Sequence, residues 1–222
     1  MRTVRVSIES KAPILMHADN IEWADAMEEW KNNPDNKAVS KAGEDRTPPW
    51  RWIGCLNSDD PEKGEVTIPS EYIMRCMMDG AAQVPTGKGR STFKSLSQSG
   101  IVSQDFHWKF RSEGKPVHMA DIQKMRALKT FKDHLEQARR LGFELFVKRV
   151  KIGKNKHIRV RPRFEKWSAS GQLIIVDDLI TDKVLQSIFD ISGKLRGLGD
   201  WRPGAPESPG PFGTFTAKIA AV

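Results

Sequence analysis

The side chains best suited to binding a ligand are cations concentrated in one short segment. Between Lys148 and Lys166 the sequence carries nine Lys or Arg residues and a single acid, Glu165, so the segment contributes +8. The whole chain has 36 basic and 28 acidic residues, a net charge of +8, and its remainder is therefore neutral. Charge concentrated in this way repels itself in the folded state, and a polyanion would offset that repulsion most simply. The segment therefore predicts a surface that binds the phosphates of a nucleic acid.

The spacing of the cations in this segment is that of a strand. Arg159, Arg161 and Arg163 alternate with other residues, so a continuous strand would place all three on one face and Val160 on the other. Residues two apart on a strand are separated by roughly 6–7 Å, comparable with the phosphates of an extended nucleic acid. Pro162 predicts an irregular strand or one at the edge of its sheet. The alternative is a basic face covered by water alone. The other cations assigned to this surface are Lys148, Arg149, Lys154 and Lys156.

A second basic segment, residues 87–92 (GKGRST), contains two glycines. It lacks the Walker phosphate-binding pattern, because Ala82 and Gly89 stand where that pattern requires Gly and Ser or Thr. Backbone N–H groups of a basic glycine turn can nevertheless hold one phosphate, which would involve Lys88 and Arg90. The alternative is an ordinary surface loop.

A third segment, residues 193–213, is rich in glycine and proline and is predicted to be an irregular loop. Its glycines would let the backbone approach a ligand closely. Trp201, beside Arg side chains, offers stacking and cation–π contacts to bases. In the alternative interpretation Trp201 fills the core and Asp200 pairs with Arg202. The cations of this loop are Lys194, Arg196 and Arg202.

Signals for catalysis are weak, and the sequence predicts a protein that is not an enzyme and holds no metal or cofactor. The five histidines are scattered without metal-ligand spacing. His17 is the one candidate general base, after the first predicted strand. The adjacent carboxylates at residues 59–60 and 177–178 are more typical of helix caps and turns than of a metal site. Two cysteines, Cys55 and Cys76, are too few for a disulfide framework and are expected to be reduced.

Hydrophobic periodicity predicts the elements that position these side chains. The chain is interpreted as a single domain, residues 1–222, with a mobile loop at 32–49, a basic hairpin insertion at 143–166 and the glycine- and proline-rich loop at 193–213. The predicted strands are residues 3–10, 66–68, 101–110, 143–150, 157–163, 164–176 and 212–219. The predicted helices are a first helix that Asp19 or Asn20 would cap and that ends at residue 30, and residues 69–81, 119–141 and 181–191.

This order of elements predicts an α+β fold in which helices pack on an antiparallel sheet. The ferredoxin-like, RRM-like βαββαβ core with long insertions fits it, and RNA-recognition domains of that topology expose one sheet face to a single strand. No run of about 18 apolar residues exists to span a membrane, so no membrane partner is expected. The N-terminal residues lack the apolar region of a secretory signal, which favours the cytoplasm.

Three segments together resemble the RAMP superfamily, ferredoxin-like RNA-binding proteins that form CRISPR effector backbones and processing nucleases. Residues 4–17 (VRVSIESKAPILMH) are similar to the family's opening strand and the Pro-Leu step after it. Residues 66–81 (VTIPSEYIMRCMMDGA) resemble the start of its first main helix, although Ser70 and Glu71 stand where Gly-Ser is usual. Residues 193–215 resemble its C-terminal glycine loop, but are longer and richer in proline.

The chain also resembles a group of phage-encoded proteins that end in a GLGDWRP-type motif, here residues 197–203. The resemblance implies a ferredoxin-like core, binding of a single strand along a basic surface, and head-to-tail assembly into a homo-oligomer or filament on that strand. It also implies that the hairpin is an insertion that grips or crosses the strand. The expected compartment is the cytoplasm of a bacterium or of a phage-infected host.

Three hypotheses on function remain open at this stage. The first is a non-catalytic protein that binds single-stranded RNA or DNA through electrostatic contacts with its backbone. The second is a metal-independent endoribonuclease of the RAMP type, with His17 as the base. The third is a protein-interaction module that mimics or caps a CRISPR subunit.

Overall fold

A computed structural model describes residues 1–18, 20–38, 47–152 and 155–222, and at residues 37–38, 150–152 and 155–157 it describes the backbone alone. The strands are β1 (Arg2–Ser10), β2 (Ile14–Leu15), β3 (Thr67–Pro69), β4 (Ile101–Ser103), β5 (His107–Ser112), β6 (Glu144–Ile152), β7 (Asn155–Phe164), β8 (Trp167–Ile175) and β9 (Phe215–Ala221). The α-helices are α1 (Ile21–Asn32), α2 (Ser70–Ala81), α3 (Lys94–Gly100), α4 (Met119–Lys124), α5 (Phe131–Arg140) and α6 (Asp182–Ile191). The predicted combination of helices with antiparallel sheet is confirmed. None of the helices in the described ranges is long and apolar enough to cross a bilayer.

The chain divides into two compact units, each built from separated segments. Unit 1 comprises Met1–Ile14, Thr67–Pro116 and Glu165–Val222, and unit 2 comprises Leu15–Val66 and Val117–Phe164. Both segments of unit 2 therefore interrupt the chain of unit 1, and the second of them carries the basic hairpin.

The strands of unit 1 form one antiparallel sheet in the order β3-β5-β8-β1-β9, and β4 also pairs with β8. β4 and β5 follow one another along β8, because β4 pairs with its C-terminal end and β5 with its N-terminal half. The predicted strand at residues 101–110 is therefore two strands. In the interruption, Asp105 accepts a hydrogen bond from the backbone N–H of Gln172 (2.8 Å).

One face of this sheet forms the core of unit 1. On β1, Val4, Val6 and Ile8 are at most 1% exposed and alternate with half-buried or exposed residues, as predicted. The buried residues of α2 and α6 recur at three- and four-residue steps, typical of helices that pack one apolar face. Each fully buried Val or Ile contributes at most about 1.5–3 kcal/mol of transfer free energy. The polar residues of β1 consequently lie on the opposite face of the sheet.

Two predicted helix starts are confirmed by their capping contacts. The Asn20 side chain accepts a hydrogen bond from the N–H of Glu22 at the start of α1. The Thr181 hydroxyl accepts one from the N–H of Val184 at the start of α6 (3.3 Å). Such caps satisfy N–H groups that have no partner within the helix and typically contribute about 1 kcal/mol.

The predicted single helix at residues 119–141 is wrong, because the chain breaks there. α4 ends in a 3₁₀ turn at Met125–Ala127, and Leu128 is extended. α5 then starts afresh, since the Thr130 hydroxyl accepts a hydrogen bond from the N–H of Asp133 (3.2 Å). A threonine whose side chain binds the backbone favours a helix N-terminus over a helix interior.

The loop predicted at residues 32–49 is partly structured. Asn32 is the last residue of α1, and residues Pro34–Ala38 form a short 3₁₀ helix. Residues 39–46 lie outside the described part of the chain.

The core of unit 2 contains a buried histidine held in its neutral form. His134 is fully buried, and its Nδ1 accepts a hydrogen bond from the indole N–H of Trp52 (3.2 Å). In the tautomer that leaves Nδ1 free to accept, Nε2 carries the hydrogen. It donates a hydrogen bond to the carbonyl oxygen of Leu128 (3.3 Å). Burial lowers the pKa of His134 below its ordinary value of 6.5, because the charged ring would lose its solvation.

We expect His134 to make the protein less stable as the pH falls. The unfolded chain binds a proton on this ring near pH 6.5, whereas the folded chain resists protonation until lower pH, so the free energy of unfolding decreases below about pH 6.5. Urea unfolding at pH 7.5, 6.0 and 5.0 measures the effect, and the decrease should be smaller in His134→Gln. An identical pH dependence in both proteins would show that His134 is not its cause.

Candidate nucleic-acid interface

The predicted basic hairpin is present in unit 2. β6 pairs antiparallel with β7 along its whole length, from Glu144 opposite Arg163 to Ile152 opposite Asn155. Along β7, the buried Ile158, Val160 and Phe164 alternate with Arg159, Arg161 and Arg163, a pattern that favours a strand buried on one side. Lys154 lies outside the described residues, and Lys156 is described by its backbone alone.

Four of the predicted cations share one face of this hairpin. Residues directly opposite each other in an antiparallel pair project to the same face. Val160 lies on the other face and is 2% exposed, as predicted, and Arg149 also lies there, opposite Ile158. We call the face opposite Val160 the cationic face of the hairpin. Its cations are Lys148, Arg159, Arg161 and Arg163.

Two of these cations are register partners. Lys148 lies directly opposite Arg159, which is exposed. Side chains opposite each other have Cβ atoms about 4.5–5.5 Å apart, and like charges in that position destabilise a sheet. An anion bound on the cationic face between these two side chains would attract both of them.

The other two cations of the cationic face are held by contacts within unit 2. The Nη1 of Arg163 lies 3.6 Å from Oε2 of its register partner Glu144. The Nη1 of Arg161 donates a hydrogen bond to the carbonyl oxygen of Val160 (3.3 Å). Both arginines are half-buried, and these contacts orient their guanidinium groups.

Where the two-residue β2 does not reach, the side of β7 away from β6 is covered by the 3₁₀ helix Arg51–Cys55. The Arg51 guanidinium donates to the carbonyl oxygen of Ile158, and the Cys55 thiol donates to that of Val160 (3.9 Å). Carbonyl groups that would be unpaired at a strand edge are thereby occupied, which fixes the hairpin and protects it from pairing with another chain.

The prediction that Pro162 makes its strand irregular or places it at an edge is wrong. β7 is continuous and lies between β2 and β6. The carbonyl oxygen of Pro162 accepts a hydrogen bond from the N–H of Met16 (3.1 Å), on the side of β2. The N–H and C=O of a strand residue point to the same side of the strand. The N–H that Pro162 lacks would therefore have pointed toward β2, so no hydrogen bond between β7 and β6 is lost.

The segment at residues 193–213 belongs to unit 1 and folds back on itself. It starts in a π-helical turn, Ser192–Arg196. Gly197 and Gly213 have φ angles of 68° and 72°, a region that favours glycine. A Cβ atom added to Gly213 would lie 1.8 Å from the carbonyl oxygen of Leu198. The path of this loop therefore depends on glycine.

The side chains of this loop contact the loop itself. The half-buried ring of Trp201 lies 5.6 Å from that of Phe212. Arg202 donates a hydrogen bond from Nη1 to the carbonyl oxygen of Gly199 (3.0 Å), and Oδ1 of Asp200 accepts one from the N–H of Trp201 (2.9 Å). These contacts pack the half-buried Trp201 against its own loop and direct Arg202 to the backbone of that loop. In the same loop Lys194 is exposed and Arg196 is half-buried.

Cys76 lies beneath this loop and is expected to be unreactive in the folded protein. Its thiol donates to the carbonyl oxygen of Gly197 (3.3 Å), and burial raises the pKa of Cys76 to about 12. Cys55 is also buried. Titration with a chromogenic disulfide reagent should detect no rapidly reacting thiol in native protein and both thiols in denaturant. A thiol that reacts rapidly in the native protein would contradict this packing.

The basic turn at residues 87–92 is an exposed connection between α2 and α3 in unit 1. Both of its glycines have positive φ angles, and a Cβ atom at either would meet nothing within 4 Å. The N–H of Lys88 donates to the Thr86 hydroxyl (3.3 Å), so this N–H is occupied within the turn. Lys88 and Arg90 are both exposed.

The candidates for catalysis do not assemble into a site in the described part of the chain. His17 is exposed on unit 2. The carboxylates of Asp59, Asp60 and Asp177 accept backbone N–H groups in turns, which confirms their predicted structural role. Among the residues described, no three His, Cys, Asp or Glu side chains are grouped as metal ligands would be.

The structure thus brings together four of the predicted cations, on one face in unit 2. The predicted residues of the two glycine-containing segments belong to unit 1. Sequence reasoning missed three exposed cations, Arg5, Lys109 and Lys218, on the polar side of the unit 1 sheet. Their alternation with apolar residues was a signal that could have found them.

No family model matches the chain, and no curated protein matches it.

Proposed function

We propose that this protein binds single-stranded nucleic acid, RNA or DNA, through the cationic face of its hairpin and catalyses no reaction on it. The observation that carries the proposal is the pair Lys148 and Arg159, two cations fixed opposite each other by the strand register. A phosphate between them would make attractive contacts with both side chains.

The spacing of the cations supports a strand as the ligand. Arg159, Arg161 and Arg163 follow one another at two-residue steps along β7, about 6.7 Å apart. An extended nucleic-acid backbone presents phosphates at a comparable interval, so successive cations can meet successive phosphates. Such binding neutralises the backbone and has little preference for base sequence.

We further propose a ferredoxin-like core for unit 1. Along the chain, β1, α2, the pair β4 and β5, β8, α6 and β9 follow the βαββαβ order, and β1 and β8 are the two central strands. This order supports the resemblance to RAMP proteins. Assembly of several copies on one strand, in a phage or CRISPR-related setting in the cytoplasm, is part of the same proposal.

A salt titration of binding tests the proposed function. Fluorescence anisotropy with labelled 15-nucleotide rU and dT strands gives the dissociation constant at 50–300 mM NaCl. Binding should be saturable for the wild-type protein. In the triple variant Arg159→Gln, Arg161→Gln, Arg163→Gln, the slope of log K against log salt should become shallower by about 2, or roughly 0.7 per lost phosphate contact.

Two results would contradict the proposal. The first is an unchanged slope in a triple variant that keeps the circular dichroism spectrum of the wild type. The second is cleavage of the RNA strand in chelator that disappears in His17→Ala, which would favour the endoribonuclease hypothesis.

A further inference from the structure

On β1, β5, β8 and β9, the side of the unit 1 sheet opposite its core is mostly polar. On β8 the residues alternate strictly between buried and half-buried, and the half-buried ones include Ser168, Ser170 and Gln172. We call this side the open face of the unit 1 sheet. None of its described residues on β1, β5, β8 or β9 is a Phe, Tyr or Trp.

The open face carries an excess of positive charge. Arg5, Lys109 and Lys218 are exposed there, against one exposed acid on these strands, Glu9. Among the described residues, no carboxylate pairs with any of the three cations. The face also carries Arg111, which is half-buried and donates a hydrogen bond to the carbonyl oxygen of Phe110 (2.8 Å).

The register aligns these side chains across the sheet. Lys109 pairs with Ser170, Ser170 with Ser7, and Ser7 with Lys218, so two cations flank two hydroxyl groups in one row. Three strand spacings separate the ends of this row by about 14 Å. Arg5 lies two residues along β1 from Ser7, about 7 Å away. Neither serine hydroxyl bonds to another residue in the described ranges.

We propose that the open face is a second nucleic-acid contact that binds the sugar–phosphate backbone alone. Arg5, Lys109 and Lys218 each neutralise one phosphate, and the hydroxyls of Ser7 and Ser170 donate hydrogen bonds to phosphate oxygens between them. His107, whose Nδ1 lies 3.2 Å from the Thr67 hydroxyl, is the one aromatic ring on this face of β1, β5, β8 and β9, so this contact depends little on base identity. The proposal rests on the proposed function, because it needs a single strand as ligand.

The triple variant Arg5→Gln, Lys109→Gln, Lys218→Gln tests the proposal on the full chain. Glutamine keeps much of each aliphatic stem, so the strand surface stays covered. The matched control removes three exposed cations elsewhere: Lys129→Gln, Arg139→Gln, Lys183→Gln. Anisotropy is measured with 15-mers of rU, of dT and of an abasic deoxyribose phosphate, and with poly-glutamate. Tighter binding of rU or of dT by the wild-type protein identifies the preferred nucleic acid. An unchanged melting temperature establishes that each variant is folded.

The open-face variant should bind rU or dT roughly 10- to 100-fold more weakly at about 0.15 M salt, with a similar loss on the abasic strand. The control should lose less than about threefold, since distant exposed charges are screened. If the open-face variant binds as tightly as the control, this proposal is overturned. The proposed function would still stand in that case, because the wild-type protein binds the strand. A loss absent from the abasic strand, or poly-glutamate bound as tightly as rU and dT, would also overturn it. Absence of wild-type binding to every strand would instead reject the proposed function.

Discussion

Gly213→Ala is expected to lower the free energy of unfolding by roughly 2–5 kcal/mol, the largest single-residue loss that we expect. The new Cβ would lie 1.8 Å from the carbonyl oxygen of Leu198, which is backbone and cannot rotate away. The N–H and C=O of Gly213 are both engaged, with Pro13 (2.7 Å) and Leu198 (2.9 Å). The estimate adds the cost of a left-handed conformation, about 1–2 kcal/mol, to that of overpacking, about 1–3 kcal/mol.

Gly89→Ala is the matched control for this loss. Gly89 also has a positive φ angle, 59°, but nothing lies within 4 Å of its Cβ position. Alanine there should cost only the conformational term, about 1–2 kcal/mol. Urea unfolding of both variants at pH 7.5 separates the two contributions. Equal losses would show that the loop at residues 193–213 is not packed as described.

Arg159→Glu is expected to weaken binding of a 15-nucleotide single strand by about 10-fold at about 0.15 M salt, because one cation is lost and one anion is gained. The same change should not destabilise the hairpin. Glu at this position would lie opposite Lys148, so a like-charge pair becomes an opposite-charge pair, worth about 0.2–1 kcal/mol in a sheet. Affinity and thermal stability should therefore move in opposite directions.

Lys129→Glu makes the same change in charge at another exposed position of unit 2. It lies between α4 and α5, outside the hairpin, and should alter binding by less than about threefold in physiological salt. An equal loss of affinity in both variants would mean that binding follows net charge alone and not the cationic face. A lower melting temperature for Arg159→Glu would argue against a favourable pair between the new carboxylate and Lys148.

The hairpin could be predicted from sequence because its information is local. Alternation with period two fixes which face each side chain takes, and it correctly placed Arg159, Arg161 and Arg163 together, with Val160 on the other side. The break near Thr130 was missed because the apolar residues on both sides of it keep helical spacing. Only the capping contact of its hydroxyl shows that a new helix begins there.

Other features depend on contacts that local pattern does not contain. Pro162 is tolerated in β7 because its missing N–H would point toward β2, a strand of only two residues. This arrangement follows from the sheet order and not from local sequence. The row from Lys109 to Lys218 likewise needs the register of four strands that are distant in sequence. Charge alternation alone could not align them.

Photocrosslinking tests the central claim, binding of a single strand on the cationic face of the hairpin, most directly. The wild-type protein is irradiated with a 15-nucleotide RNA that contains 4-thiouridine, and the crosslinked peptides are mapped by mass spectrometry. We predict crosslinks within residues 144–164, at positions next to Lys148 and Arg159, and their loss at high salt. Crosslinks that are abundant elsewhere on the chain and absent from residues 144–164 would contradict the account.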